Sequence, residues 1–539
     1  MATHEVINQP DPLVDYDVYG SDPVLGDAIT GYGAGWAHSE LSGLGRLAGS
    51  AEAVEWGFKA NEYTPVLHTH DRFGHRIDEV EYHPYYHRLM ETAVANGLHA
   101  EPWRDPRPGA HVARAARFFV WSQVDTGHTC PVSMTYAIVP AMRHQPEVAS
   151  AWEPLLESGT YDPRSVPPGE KTGAIAGMAM TEKQGGSDVR ANTSTATPTA
   201  DGSYRLTGHK WFCSAPMSDV FLMLAQAPGG ISCFAVPRFA PSGEPNGIQI
   251  LRLKDKLGNR SNASSEIEFA DVYGELVGEE GAGVRTIIEM VNHTRLDCVT
   301  GSASSFRQGL VQAVHHSRQR TAFGHLLIDQ PLMLNVLADL AVESEAATLT
   351  MVRLAAAYDS DDPAEAAFRR IATAVGKYWV TKRLPMAAAE AMECLGGSGY
   401  VEESIMPRLF RDSPVNAIWE GSGNVIALDV LRAMSREPES LEALLAELET
   451  TRGSDPRYDR SLADLHAEIS DTGDIVPRAR RLTELMAVLL QGSLLIRHGR
   501  PEVTDAYCAT RLAGDRGLLF GTLPGSTDHR RIVEGSFPG

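Results

Sequence analysis

"NTSTATPTADGSYRLTGHKWF", residues 192–212, alternates polar and apolar side chains on both sides of Asp201-Gly202. Period-two alternation about an Asp-Gly pair predicts two antiparallel strands joined by a tight turn. Four more short strand-like segments follow closely: "DVFLMLAQA", "GISCFAVPRF", "GIQILRL" and "SSEIEF". Residues 176–280 therefore predict a small β-barrel or sandwich.

Outward from this stretch the period changes. "YYHRLMETAVANGLHA" and "AHVARAARFFVWSQV" repeat apolar residues at three and four, which predicts a helical domain over residues 1–175. The helical period returns after residue 280 in "VRTIIEMVNHTRLDCVTGSASSFRQGLVQAVHHSRQR" and two later stretches rich in small residues, predicting close helix packing in a bundle over 281–436. Residues 437–539, opening on "EPESLEALLAELETTRGSDPRYDR", predict a linker and a further helical domain. The sum is an α+β fold, mainly α, with β structure inserted between helical layers.

The 539 residues carry a formal net charge of −21, which speaks against an overall nucleic-acid coat or an anionic-membrane protein. Six cysteines, Cys130, Cys213, Cys233, Cys298, Cys394 and Cys508, lie far apart with no Cys-x-x-Cys, so neither a disulfide framework nor a metal site is expected. His68, His70 and His75 lack the carboxylate or Cys spacing of a zinc site and read as solvated. The amino terminus has acidic residues and no apolar core, and the longest apolar run, residues 485–496, is too short to span a bilayer. A soluble cytoplasmic protein is expected.

Two stretches carry chemistry. "MAMTEKQGGSDV", residues 178–189, offers backbone N–H groups at Gly185 and Gly186 and the Ser187 hydroxyl, a loop suited to a polar cofactor edge or a phosphate. "NAIWEGSGNV", residues 416–425, places a lone carboxylate, Glu420, between Trp419 and a Gly-Ser-Gly run. No Gly-x-Gly-x-x-Gly follows a strand, so a dinucleotide fold is not expected.

Taken with "KDKLGNRSNASSEIEF", "RTAFGHLLIDQ" and "ECLGGSGY", these stretches resemble the acyl-CoA dehydrogenase superfamily, most of all its AidB-like branch, over nearly the whole chain and in the same order. The resemblance implies an N-terminal helical domain, a middle β-barrel domain, a C-terminal four-helix bundle and, here, an extra helical domain. It implies FAD as cofactor. Met180, Thr181, Gly186 and Ser187 would then meet the flavin and its ribityl-phosphate arm, and Trp211 would lie against the isoalloxazine. Cys213 and Ser214 would stand at the flavin edge where the family has Thr and Asn. Arg320, Phe323 and Gln330 would reach the FAD of a neighbouring subunit, as would Gly396 and Gly397, with Glu393 in place of the family's Gln. Ser422 and Asn424 would meet the cofactor's phosphates, and the assembly would be a homotetramer.

Glu420 stands where the family has the base that removes the α-proton of an acyl-CoA thioester. Thr294 occupies the alternative position used by a minority of the family, and a Thr cannot serve there. Removing a weakly acidic C–H needs a carboxylate in a dry cavity. The resemblance thus implies α,β-dehydrogenation of an acyl-CoA, with an electron-transfer flavoprotein or oxygen as electron acceptor. It also carries an alternative: a DNA-binding flavoprotein of the alkylation response with weak or vestigial dehydrogenase activity. Residues 431–539 hold 14 Arg and no Lys against 17 Asp and Glu, a net of −3, so weak, salt-dependent DNA binding at most is expected even if Arg432, Arg436, Arg478, Arg480 and Arg481 share a face. Arg114 and Arg117, on one helical face, would approach a CoA phosphate or face water. Arg295 and Asp297 would order the active-site helix or merely pair with it, and the structural role is the expectation.

Overall fold

The strands flanking Asp201-Gly202 form as expected, Thr195–Pro198 against Tyr204–Ser214, with Thr195 opposite Thr207 and Pro198 opposite Tyr204. Gly202 turns the chain at φ +86°, a left-handed conformation that a residue without Cβ adopts readily. The computed structural model describes residues 3–471 and 473–538. In chain order its first strands are β1 Val66–His70, β2 Arg76–Glu81, β3 Ala176–Ala179, β4 Thr195–Pro198, β5 Tyr204–Ser214, β6 Val220–Ala227, β7 Gly230–Pro237, β8 Ile248–Leu253 and β9 Ser264–Val277.

The chain divides into two compact units, one of residues 55–107 and 124–297, the other of residues up to 54, 108–123 and from 298 onward. In the first, strand pairings run in a closed ring: β4 with β5, β5 with β9, β9 with β7, β7 with β6, and β6 back to β4 where Thr195 meets Gln226. The ring is a barrel, with β3 added parallel to β6 and β8 antiparallel to β9. Phe221, Met223, Phe234, Val236, Ile267, Phe269 and Val272 fill its interior. The intervening Leu222, Leu224, Cys233 and Ala235 face outward and are buried in a second cluster with residues of the helices Thr129–Met142 and Pro146–Leu156. Burial on both faces is why "VFLMLA" in β6 is a continuous apolar run rather than an alternating one.

The same unit holds the β1–β2 hairpin inside a region whose sequence reads as helical. It accounts for the histidine cluster: His68 bonds Glu81 across the hairpin at 2.8 Å, and His75 bonds Asp71 at 2.9 Å. Among the described residues no group of three or more His, Cys, Asp or Glu is placed to hold a metal ion.

In the second unit the bundle helices are Gly283–Gln319 from Cys298 on, Pro331–Tyr358, Pro363–Cys394 and Gly423–Arg436. Small residues set their spacing: a Cβ on Gly376 would stand 2.9 Å from Leu354 Cδ1. The helix Ala110–Trp121 packs here too, and it corrects an expectation. Arg114 and Arg117 are both buried, Arg114 under the Phe118 ring at 4.9 Å and Arg117 paired with Glu40, so neither faces water. The sequence reads as one polar face on a short helix, but all 12 residues of Ala110–Trp121 are buried.

Residues beyond 437 pack onto this bundle. Trp379 Nε1 donates to Gln491 Oε1 at 3.0 Å, and Glu343 accepts from Arg383 and Arg511 at 2.8 Å each. The apolar run at 485–496 lies within the helix Ala479–His498 and supplies core. Among the described residues no helix is long and apolar enough to cross a membrane.

The Glu343 cluster yields a pH prediction. Burial alone would raise its carboxyl, but the guanidiniums of Arg383 and Arg511 outweigh it and bring it from 4.5 down to about 2. A carboxyl lowered in the folded state stabilises above its unfolded value and loses that contribution as pH falls through the folded one, here between about 4.5 and 2. Thermal unfolding in a pH series is expected to lose about 3 kcal/mol across that window from this group, and Glu343→Gln is expected to flatten the dependence. An unchanged acid profile in the variant would contradict the assignment.

Candidate active site

The barrel unit brings together two stretches, around Glu182 and around Trp211, whose paired residues are 28 apart in the sequence. Glu182, in the "TEKQGGSD" loop, and Lys210, beside Trp211, form an ion pair at 2.8 Å with both side chains fully buried. Glu182 also accepts from the Ser194 hydroxyl at 2.6 Å and from the Thr193 and Ser194 N–H groups at 2.7 and 3.1 Å. Burial works against its ionisation, but the bonds from Lys210, Ser194 and Thr193 override it and hold the carboxyl well below its usual range. Lys210 spends its other protons on the Leu224 and Met180 carbonyls, at 2.7 and 3.4 Å.

The surface of this unit follows from that anchor. The Trp211 N–H donates to the Thr181 carbonyl at 2.8 Å and the Lys183 N–H to His209 at 3.1 Å, so Thr181 and Trp211 are neighbours. Glu182 and Gly185 exchange two backbone bonds of 3.1 Å, closing a tight turn that leaves Gly186 and Ser187 exposed. Cations gather at the Trp211 ring: Lys254 Nζ stands 3.2 Å from its centroid, Lys183 Nζ 5.4 Å and the Arg252 guanidinium 5.9 Å, with Glu266 accepting from Arg252 and Lys254 at 2.7 Å each. Ser214 is half-buried and meets Ser264 Oγ at 3.2 Å. Cys213 is placed differently from its neighbours: it is fully buried among the barrel core residues, and burial pushes its thiol up to about 12. Thr294 is buried, its hydroxyl bonded to the Val291 carbonyl at 3.0 Å.

The bundle unit holds the rest. Glu420 is half-buried in a turn between Val415–Ala417 and the helix Gly423–Arg436, with φ +56°, a left-handed value uncommon for a side-chain-bearing residue. Gly421 follows at φ +107°, where a Cβ would press on Ile426 at 3.0 Å. The Trp419 indole donates to Asn416 Oδ1 at 3.0 Å, and Asn416 donates to Ser302 Oγ at 3.0 Å, tying the turn to the helix Gly283–Gln319.

Immediately after the turn, Ser422 caps the helix with backbone only, so its side chain takes none of the free N–H groups at the helix start. Two cations point there. Lys382 packs so closely that a Cβ on Gly423 would meet its Cε at 2.4 Å, and Arg480 reaches Asn424 Oδ1 at 3.5 Å and the Tyr378 hydroxyl at 3.1 Å. Burial and the nearby Arg480 push the Lys382 ammonium below its usual value. Helix N–H groups with two crowded cations are a donor set that fits an anion such as a diphosphate. Sequence reasoning assigned Ser422 and Asn424 to the phosphates but had no signal for Lys382, and it named Arg480 only within a possible DNA-binding face.

Arg320 donates to the Asn8 carbonyl and Gln330 to the Ala322 carbonyl at 3.0 Å, around a small hairpin of β10 Thr321–Ala322 and β11 His325–Leu326. Phe323 at its tip is 96% exposed with φ +51°. Gly396 and Gly397 are exposed with open space around them, and Glu393 and Tyr400 are exposed nearby.

Comparison with known proteins matches the chain in three successive segments. Residues 8–163 match the Adaptive response protein AidB N-terminal domain, residues 177–272 the acyl-CoA dehydrogenase middle domain and residues 281–435 the acyl-CoA dehydrogenase C-terminal domain. The chain is 44% identical over 513 residues to the putative acyl-CoA dehydrogenase AidB of Escherichia coli (strain K12), covering 95% of this chain and 94% of that one. It is 30% identical to acyl-CoA dehydrogenase family member 11 of Caenorhabditis elegans, covering 87% and 85%. The crystal structure of Caenorhabditis elegans ACDH-11 in complex with C11-CoA superposes with a TM-score of 0.87 at 27% identity, over 100% of this chain and 98% of that one.

The buried ion pair is directly testable. Lys210→Met strands the Glu182 carboxylate and is expected to cost about 3–5 kcal/mol in chemical denaturation followed by tryptophan fluorescence. The double variant Glu182→Gln with Lys210→Met removes both charges and is expected to recover part of that loss. A double variant as unstable as the two single losses added together would show that the pair is not coupled.

Proposed function

This chain belongs to the acyl-CoA dehydrogenase family, and on that premise we propose that Glu420 takes the α-proton of an acyl-CoA thioester as the thioester is oxidised to its trans-2-enoyl-CoA. The family is FAD-dependent, and FAD, when bound, supplies the acceptor for the β-hydride. The observation that carries the reading is the Trp419–Asn424 segment: a half-buried carboxylate on a left-handed turn, three residues before a helix start crowded by Lys382 and Arg480. It puts a candidate base and an anion-binding terminus on one short stretch.

The residues divide the work. Glu420 holds the proton acceptor, and its own backbone N–H is a donor for the enolate oxygen that develops as the C–H bond breaks. Ser422, Asn424 and the helix N–H groups hold the cofactor's phosphates, joined by Lys382 and by Arg480, which lies outside the three matched segments. Thr181, Gly186, Ser187 and the Trp211 face receive the flavin, with Met180, Cys213 and Ser214 shaping the wall behind. The buried Cys213 thiol supports Trp211 from the barrel core in this reading and donates nothing to the flavin edge.

Arg320, Phe323, Gln330, Gly396 and Gly397 belong to an intersubunit cofactor contact in a homotetramer. The support is the exposure of Phe323, Gly396 and Gly397 in one chain, with apolar Tyr400 and Val401 open beside the glycines: Phe323, Tyr400 and Val401 are 96%, 78% and 47% exposed, and exposed apolar side chains mark interfaces. The thioester reading is favoured over a nucleic-acid one by the fate of the arginines. Arg432 pairs with Asp429, and Arg478 and Arg481 both pair with Glu468, so their charge is already matched within the unit.

Two variants test this. Glu420→Gln is expected to retain FAD but to slow anaerobic flavin bleaching by acyl-CoA at least 100-fold, since the amide keeps the shape and loses the base. Bleaching at the parent rate would remove Glu420 from the role. Arg480→Ala is expected to weaken FAD binding roughly 10-fold, read as flavin retained on dialysis, as expected for losing one charge-assisted bond to phosphate. Unchanged retention would detach Arg480 from the phosphate site.

A further inference from the structure

Lys377 sits in the middle of the helix Pro363–Cys394 and is 1% exposed. An ammonium in that position is costly unless its protons are used, because burial strips its hydration. Lys377 Nζ donates to the Trp419 carbonyl at 2.7 Å and to the Gly421 carbonyl at 2.5 Å, the two carbonyls on either side of Glu420. Those bonds span 42 and 44 residues of sequence, so they are made by the fold and not by the local turn.

The turn they grip is one that would relax if released. Glu420 holds φ +56° and Gly421 φ +107°. A side-chain-bearing residue in the left-handed region is strained, and persists only where its surroundings over-determine it. Trp419 through Asn416 and Ser302 fixes the turn from one side. Lys377 fixes it from the other, through the carbonyls of the two residues that flank Glu420.

We propose that Lys377 is a positioning residue: by binding the carbonyls of Trp419 and Gly421 it sets the direction in which Glu420 presents its carboxylate. The inference rests on the reading of Glu420 as the base. Lys377 has no contact with substrate in this role. It acts through geometry, where displacement of a reacting group by about 1 Å costs on the order of 100-fold in rate.

The experiment compares Lys377→Met, Lys377→Arg and Glu420→Gln as purified, FAD-loaded proteins. Each is measured for flavin content, for the dissociation constant of an acyl-CoA read from the change in flavin absorbance, and for the single-turnover rate of anaerobic bleaching. Lys377→Met is expected to keep FAD, to bind the thioester within about threefold of the parent and to bleach about 100-fold more slowly. Lys377→Arg, which restores a cation with fixed donors, is expected to regain at least 10-fold of that loss. A general structural defect would move binding and flavin content together with rate and would not be rescued by Arg. If Lys377→Met does not accumulate as folded protein, Lys377→Gln, which keeps an N–H donor without charge, is read by the same split. If Glu420→Gln is inert and the Lys377 variants bleach at the parent rate, the positioning role falls and the base stands. If Glu420→Gln bleaches normally, the base reading falls.

Discussion

Glu182 and Lys210 meet at 2.8 Å with neither side chain exposed, and the candidate flavin surface of the barrel unit is built on that contact. A buried carboxylate must be paired and hydrogen-bonded or it neutralises, and Glu182 is satisfied by an ammonium, a hydroxyl and two backbone N–H groups. Once it is fixed, the loop before it and the strand after Lys210 have one relative position. The Trp211 N–H then reaches the Thr181 carbonyl, and the exposed Gly186-Ser187 edge is held by a two-bond turn that needs no packing of its own. A loop meant for a polar ligand cannot be stabilised by apolar burial, so it is stabilised from underneath by charge.

The bundle unit applies the same solution to a different problem. Its turn must carry a carboxylate in a left-handed conformation and start a helix whose N–H groups stay available. Apolar contacts cannot hold such a segment, because its carbonyls would be left unpaired. A second buried lysine, Lys377, takes two of them. The strain at Glu420 and the crowding of Lys382 against Gly423 fall in one short stretch, the proposed binding segment, and the strained turn is held by polar bonds from a distant helix.

Periodicity made much of this legible. The alternation around Asp201-Gly202 identified a hairpin that became part of a closed barrel, and the return of the helical period after residue 280 identified the bundle. Motif order carried the family, and the isolation of Glu420 among apolar and glycine residues drew attention to a carboxylate that the fold half-buries. What the sequence hid was of two kinds. Elements buried on every side lose their pattern: Arg114 and Arg117 read as a polar face, yet they lie inside the bundle unit. Contacts between distant residues leave no local mark either. Nothing near Lys377 points to residue 419, nothing near Glu182 to Lys210, and nothing near Arg480 to Asn424.

The central claim is that this chain removes a proton from the carbon next to a thioester. The most direct measurement is anaerobic stopped-flow bleaching of the flavin by a series of acyl-CoAs of graded length and branching, each with and without deuterium at the α-carbon. The account predicts that at least one of them bleaches the flavin and that α-deuteration slows that step severalfold. A yellow protein that no thioester bleaches, or bleaching indifferent to α-deuterium, would contradict it.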